Sequence, residues 1–109
     1  MAHFLNLKWI LVGHTPVPCE DVERWAIWFE DINNRRVAED QIGDVWVSTV
    51  FLGLDHSHGV GPPVLFETMA FRGREIIAQD RYASYEEAEM GHTEMLQRVV
   101  EDAAKDVRE

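Results

Sequence analysis

Ten residues, Val45 to Leu54 (V-W-V-S-T-V-F-L-G-L), constrain this chain more than any others. Valine, threonine and aromatic residues fill most of the run and favour an extended strand. A period of two sends Val45, Val47, Thr49 and Phe51 to one face and Trp46, Ser48, Val50, Leu52 and Leu54 to the other. Both faces are mainly apolar, as in a strand covered on both sides. A single helix covers only one face of a sheet. The second face therefore calls for the N-terminal segments or for a second copy of the chain, and a homodimer is expected.

The flanking residues extend this strand into a sheet. Val64–Phe71 reads as the next strand, and Arg72-Gly73 is placed to turn it back into Arg74–Tyr82 as an antiparallel hairpin. A helix is predicted over Ser84–Asp106. Ser84 and Glu87 have the spacing of a capping box, and Glu86, Glu87 and Glu89 lie near the positive end of the helix dipole. Its inward stripe is Ala88, His92, Met95, Leu96, Val99 and Ala103, with fraying expected beyond Glu101.

Upstream, Phe4–Val12 has the content of a first strand, ended by Gly13, Pro16 and Pro18. Asp21–Ile32 fits two patterns. Val22, Trp25, Ala26 and Phe29 make a helical stripe, whereas Trp25, Ile27 and Phe29 alternate as in a strand. The density of bulky aromatics favours the strand, with Asn33-Asn34 turning a hairpin into Arg35–Ile42. The expected architecture is α+β: a mainly antiparallel sheet with one C-terminal α-helix packed across it. It forms a single domain, with N-terminal strands over 1–44, central strands over 45–82 and the helix over 84–106.

Charge narrows the partners. With 20 acidic against 10 basic residues, the formal net charge is −10. Direct binding to nucleic acid phosphates or to an anionic membrane surface needs a cationic field, so both are disfavoured. The only cysteine, Cys19, excludes an intrachain disulfide and suits a reducing compartment. Phe4–Val12 is too short for a membrane span and carries no cleavage-site pattern, so the cytoplasm is the expected location. There is no phosphate loop, dinucleotide fingerprint, CxxC pair or G-x-S-x-G turn.

Three places offer chemistry. The loop Gly53–Pro63 crowds Asp55, His56 and His58 together, one carboxylate and two imidazoles of the kind that hold Zn or Mn. The plainer reading of such histidines is solvated loop residues. Glu67 lies mid-strand on the face of Leu65, Met69 and Phe71, where a carboxylate needs a partner. An ion pair with Arg81 or Arg74 supplies one, and a role as metal ligand or general base is the functional alternative. His92 falls one turn after Ala88 and one before Leu96, so it points at the sheet. Gly91 beside it costs the helix about 1 kcal/mol against alanine and allows close approach to a strand. A hydrogen-bonded core histidine and a catalytic residue are both open for it. Convergence of Asp55, His56, Glu67 and His92 would make a site for acid–base or metal-assisted hydrolysis.

The segments V-S-T-V-F-L-G-L-D-H (Val47–His56), P-x-L-F-E-T-M-x-F (Pro63–Phe71) and R-Y-x-S-Y-x-E-A-E-x-G-H (Arg81–His92) resemble a group of small uncharacterised proteins encoded by bacteriophages and prophages. The resemblance covers the second half of the chain well and the first half loosely. It implies an accessory phage gene product, made in the bacterial cytoplasm and dispensable for building the virion, that binds a host or phage protein. Two functions follow as expectations: a non-enzymatic binding protein that needs no cofactor, or a small metal-dependent hydrolase with Glu67 and His92 as catalytic residues.

Overall fold

The computed structural model describes residues 8–108. Strands β1 (Lys8–Val12) and β2 (Thr15–Cys19) form a hairpin, followed by helices α1 (Val22–Glu30) and α2 (Ile32–Arg35). Strands β3 (Arg36–Ile42), β4 (Val45–Phe51), β5 (Phe66–Arg72) and β6 (Glu75–Tyr82) then form one antiparallel sheet in sequence order, and α3 (Tyr85–Arg108) crosses it. The architecture is the α+β one expected, with the Phe4–Leu7 part of the first predicted strand outside the described residues.

The strand expected over Asp21–Ile32 is instead α1. Asp21 caps it, its carboxylate accepting from the Arg24 N–H at 3.1 Å. Trp25, Trp28 and Phe29 are then brought to one side at helical spacing. The Trp25 indole N–H donates to the Trp9 carbonyl at 3.0 Å, and Trp28 meets Phe51 edge-on at 5.7 Å. These tertiary contacts overrule the strand preference of aromatic residues. Asn33-Asn34 lies within α2 and turns no hairpin. The Asn34 amide and the Arg35 guanidinium instead donate to the Trp28 and Phe29 carbonyls at 2.8 and 2.9 Å, serving the open end of α1.

Pro16 and Pro18 follow the end of β1 and sit inside a second strand, β2, opposite Leu11 and Trp9. Their separation by two gives them the same orientation, so the missing N–H groups fall on the side facing away from β1. This hairpin hooks the end of β4: the Trp9 N–H donates to the Gly53 carbonyl at 2.8 Å, and Lys8 bridges Leu54. Gly53, at φ +74, leaves only enough room for Phe29, which a side chain there would press at 3.0 Å.

The helix-facing side of the sheet carries two hydrophobic clusters. Val45, Val47, Ala70, Met95 and Val99 form one under the C-terminal half of α3. Phe51, Leu65, Phe66 and Ala88 form the other, closed over by Trp9, Leu11, Trp28 and Tyr85. Fully burying side chains such as Phe51 and Phe66 contributes about 1.5–3 kcal/mol each. The cap expected at Ser84 forms, with Glu87 reaching the hydroxyl instead of the backbone N–H: the Glu87 N–H donates to Ser84 Oγ at 3.1 Å, and the Ser84 hydroxyl donates to the Glu87 carboxylate at 3.0 Å. The inward stripe holds from Ala88 to Val99, while Ala103 is exposed and the helix continues to Arg108.

No described helix crosses the opposite side of the sheet. The described N-terminal segments close over the Phe51–Phe66 cluster on the α3 side and leave the outer face of β4 without the second cover expected for it. Trp46 remains 40% exposed.

Candidate functional site

Between the two hydrophobic clusters runs a polar layer. Thr49 follows Val47 on β4, Thr68 precedes Ala70 on β5, and His92 lies between Ala88 and Met95 on α3. Thr49 and Thr68 are opposite one another in the β4–β5 register, with their hydroxyl oxygens 2.5 Å apart. His92, only 4% exposed, places Nδ1 at 2.7 Å from Thr49 Oγ1 and Nε2 at 2.8 Å from Asp40 Oδ2. A carboxylate accepts only, so with a neutral ring the Nε2–H donates to Asp40 and Nδ1 accepts from Thr49. The edge strand β3, the two central strands and the helix are thus tied by one hydrogen-bonded line.

The order carboxylate–imidazole–hydroxyl matches that of a nucleophile triad. Thr49 is fully buried, however, and its second partner is another buried hydroxyl. The line therefore acts as a polar cross-link in the core, where a satisfied network fixes a single packing. Next to it, Tyr82 presses against α3. A Cβ on Gly91 would fall within the Tyr82 ring, which explains a glycine in mid-helix. Burial pushes the Tyr82 hydroxyl above the usual tyrosine range. The Thr68 hydroxyl opposes that shift, although it stands short of hydrogen-bonding geometry with Tyr82 Oη.

Glu67 belongs to the other face. It pairs in register with Val50 and Arg81, one position away from inward-facing Thr68. Its carboxylate accepts from Arg81 Nε at 2.9 Å and Gln79 Nε2 at 2.7 Å, and it is 7% exposed. The expected pocket shared by Glu67 and His92 is therefore absent: the sheet itself separates them. Alternation along β5 makes this unavoidable once Thr68 faces the helix.

Asp55 is used by its own loop. Oδ1 accepts from the Ser57 N–H at 2.8 Å and the Val64 N–H at 2.9 Å, and Oδ2 from the Ser57 hydroxyl at 2.9 Å. Partial burial opposes its charge, but these bonds and nearby His56 outweigh it and hold the carboxyl below the usual range. His58 adopts a left-handed φ of 58° at the tip of this loop and is exposed, while His56 is half-buried. Among the described residues, no three His, Cys, Asp or Glu side chains are arranged to hold a metal ion.

Sequence reading missed Asp40, Thr49 and Thr68. A signal was present for the threonines, since each interrupts an otherwise apolar buried face and needs a hydroxyl partner. Asp40 lies 52 residues from His92 and carries no such mark.

The outer face of the sheet is the remaining feature. Trp46 stacks on Phe71 at 5.2 Å and 26°. Val50 and Met69, both half-buried, adjoin them, and Ile76 lies exposed on the neighbouring strand. The patch is bordered by the Glu67–Arg81 pair and by Arg36–Glu39 at 3.3 Å.

No protein-family model, curated protein or solved structure matches this chain. No described helix is long and apolar enough to cross a membrane.

Proposed function

We propose that this protein acts by binding another protein through the open face of its sheet. The observation that carries this reading is the Trp46–Phe71 stack, left accessible beside Met69 and Val50. Tryptophan, phenylalanine and methionine are enriched at protein interfaces, and exposed apolar patches with charged borders mark such sites. Resemblance of the second half of the chain to small phage-encoded proteins supports a host or phage protein as partner, met in the bacterial cytoplasm. The net charge of −10 favours a basic partner surface. A second copy is the other occupant the apolar face supports, two sheets packing about 10 Å apart.

Co-purification from the bacterial host with the tagged chain and its Trp46→Ser variant tests the reading. The expected result is a protein retained by the wild type, lost with the variant, and rebound when both components are purified. Sedimentation of the purified chain separates self-association from binding of a different protein. Retention of no partner at mild salt by a monomeric chain, or equal retention by the variant, overturns it.

A further inference from the structure

On the helix side of the sheet, at the end away from the N-terminal hairpin, a cleft of about 410 Å³ opens between α3 and strands β4–β6. Its volume lies within the range of small-molecule sites, about 300–1,000 Å³. The floor is apolar and belongs to the core: Val45, Met95 and Val99 are buried there, with Ala78 beside them. A bulge shapes the wall. Ala70 pairs with Ala78 and Phe71 with Ile76, so Ile77 is the extra residue and lines the cleft beside Ala78.

The rim, unlike the floor, is charged. Arg72, Arg98 and Lys105 line the opening with a single carboxylate, Asp102. Three of the chain's 10 basic residues thus converge on one cleft of a protein with 20 acidic ones. Arg72 and Arg98 meet Asp44 and Asp80, each at 3.1 Å, through side chains at least half exposed. Exposed pairs of this kind contribute about 0–1 kcal/mol. Either guanidinium is therefore free to exchange its aspartate for a ligand carboxylate, while the aspartate is rehydrated.

We propose that this cleft binds a small amphipathic carboxylate, its apolar body lying on Val45, Met95 and Val99 and its head group held by Arg98 and Arg72. A guanidinium accommodates a carboxylate through two parallel hydrogen bonds, which a neutral or cationic head group cannot make. The site lies across the sheet from the Trp46–Phe71 patch, so it stands or falls independently of the protein-binding reading.

Amide NMR titration of the full chain with decanoate, kept below its micelle concentration, provides the test. Saturable shifts are expected at Val45, Ala78, Met95 and Val99, with decyltrimethylammonium producing none at matched concentration. Arg98→Gln and Arg72→Gln should each weaken decanoate binding about tenfold, the loss of one charge-assisted contact. Both side chains are exposed, so the fold should survive either change, and the comparison of head groups on the wild type does not depend on the variants. Absence of saturable shifts, equal response to both amphiphiles, or shifts confined to the outer sheet face would each refute the proposal.

Discussion

The ring of Tyr82 lies against the backbone of Gly91, so closely that a Cβ at the glycine would occupy the ring itself. Replacing Gly91 by alanine should thus reverse the usual sign of that change. Helix propensity alone gains about 1 kcal/mol, but the phenol must swing out of its half-buried seat. We expect Gly91→Ala to lower stability by about 1–2 kcal/mol. In a Tyr82→Ala background the same change should become neutral or stabilising. Urea unfolding of the four chains measures both, and a stabilising Gly91→Ala alone would contradict the packing.

His92 should matter for stability more than its polar character suggests. His92→Ala opens a cavity and removes the bonds to Thr49 and Asp40, leaving Thr49 only the Thr68 hydroxyl, a loss of about 2–4 kcal/mol. Asp40→Asn keeps an acceptor for Nε2–H and should cost about 1 kcal/mol or less. Combining His92→Ala with Asp40→Ala should be clearly sub-additive, since both remove the same bond. Additive losses in denaturant titrations would show that the line is not a unit.

Asp55 makes the loop acid-sensitive in a defined direction. Its carboxyl titrates lower in the folded chain than in the unfolded one. Its contribution is therefore complete above the unfolded value of about 3.9 and is lost as pH falls through the folded value. Asp55→Ala should lower stability near neutrality by about 1–2 kcal/mol, through three lost hydrogen bonds. The gap between variant and wild-type melting temperatures should close on acidification below about pH 4. A gap independent of pH would assign the loss to something other than the charge.

The two tyrosines should ionise late. Burial raises both Tyr82 and Tyr85, with negative neighbours adding to it: Asp80 and Glu94 for the first and Glu89 for the second. Folding favours the neutral phenols, so their contribution is complete below about pH 10 and lost as pH rises through the folded values. Tyrosinate absorbance of the native chain should develop at higher pH than in urea. Coincident titration curves would rule this out.

Strand β4, the β5–β6 hairpin and the start of α3 were legible because each is signalled locally, by alternation, by Arg72-Gly73 and by the Ser84–Glu87 spacing. Helix α1 was not, although Asp21 stands at its cap, because the aromatics that dominate it also favour strands. The partner that decided the matter, the Trp9 carbonyl, lies 16 residues earlier. The proposed site failed for a similar reason. That Glu67 falls on an apolar face of its strand and His92 on the inner stripe of its helix could be read from spacing, but not which side of the sheet the helix takes. Once α3 covers Thr68, adjacent Glu67 must face the other way, and its need for a partner is met by Arg81 and Gln79.

The line from Asp40 to Thr68 has a sense as well as a length. Each hydroxyl has one proton to give, so with the ring neutral Thr49 points at His92 and must receive from Thr68. A second proton on the imidazole would oblige Thr49 to receive from the ring and to give toward Thr68, turning both rotors together. The protonation of one side chain on the helix would then be written into the orientation of two dipoles in the sheet.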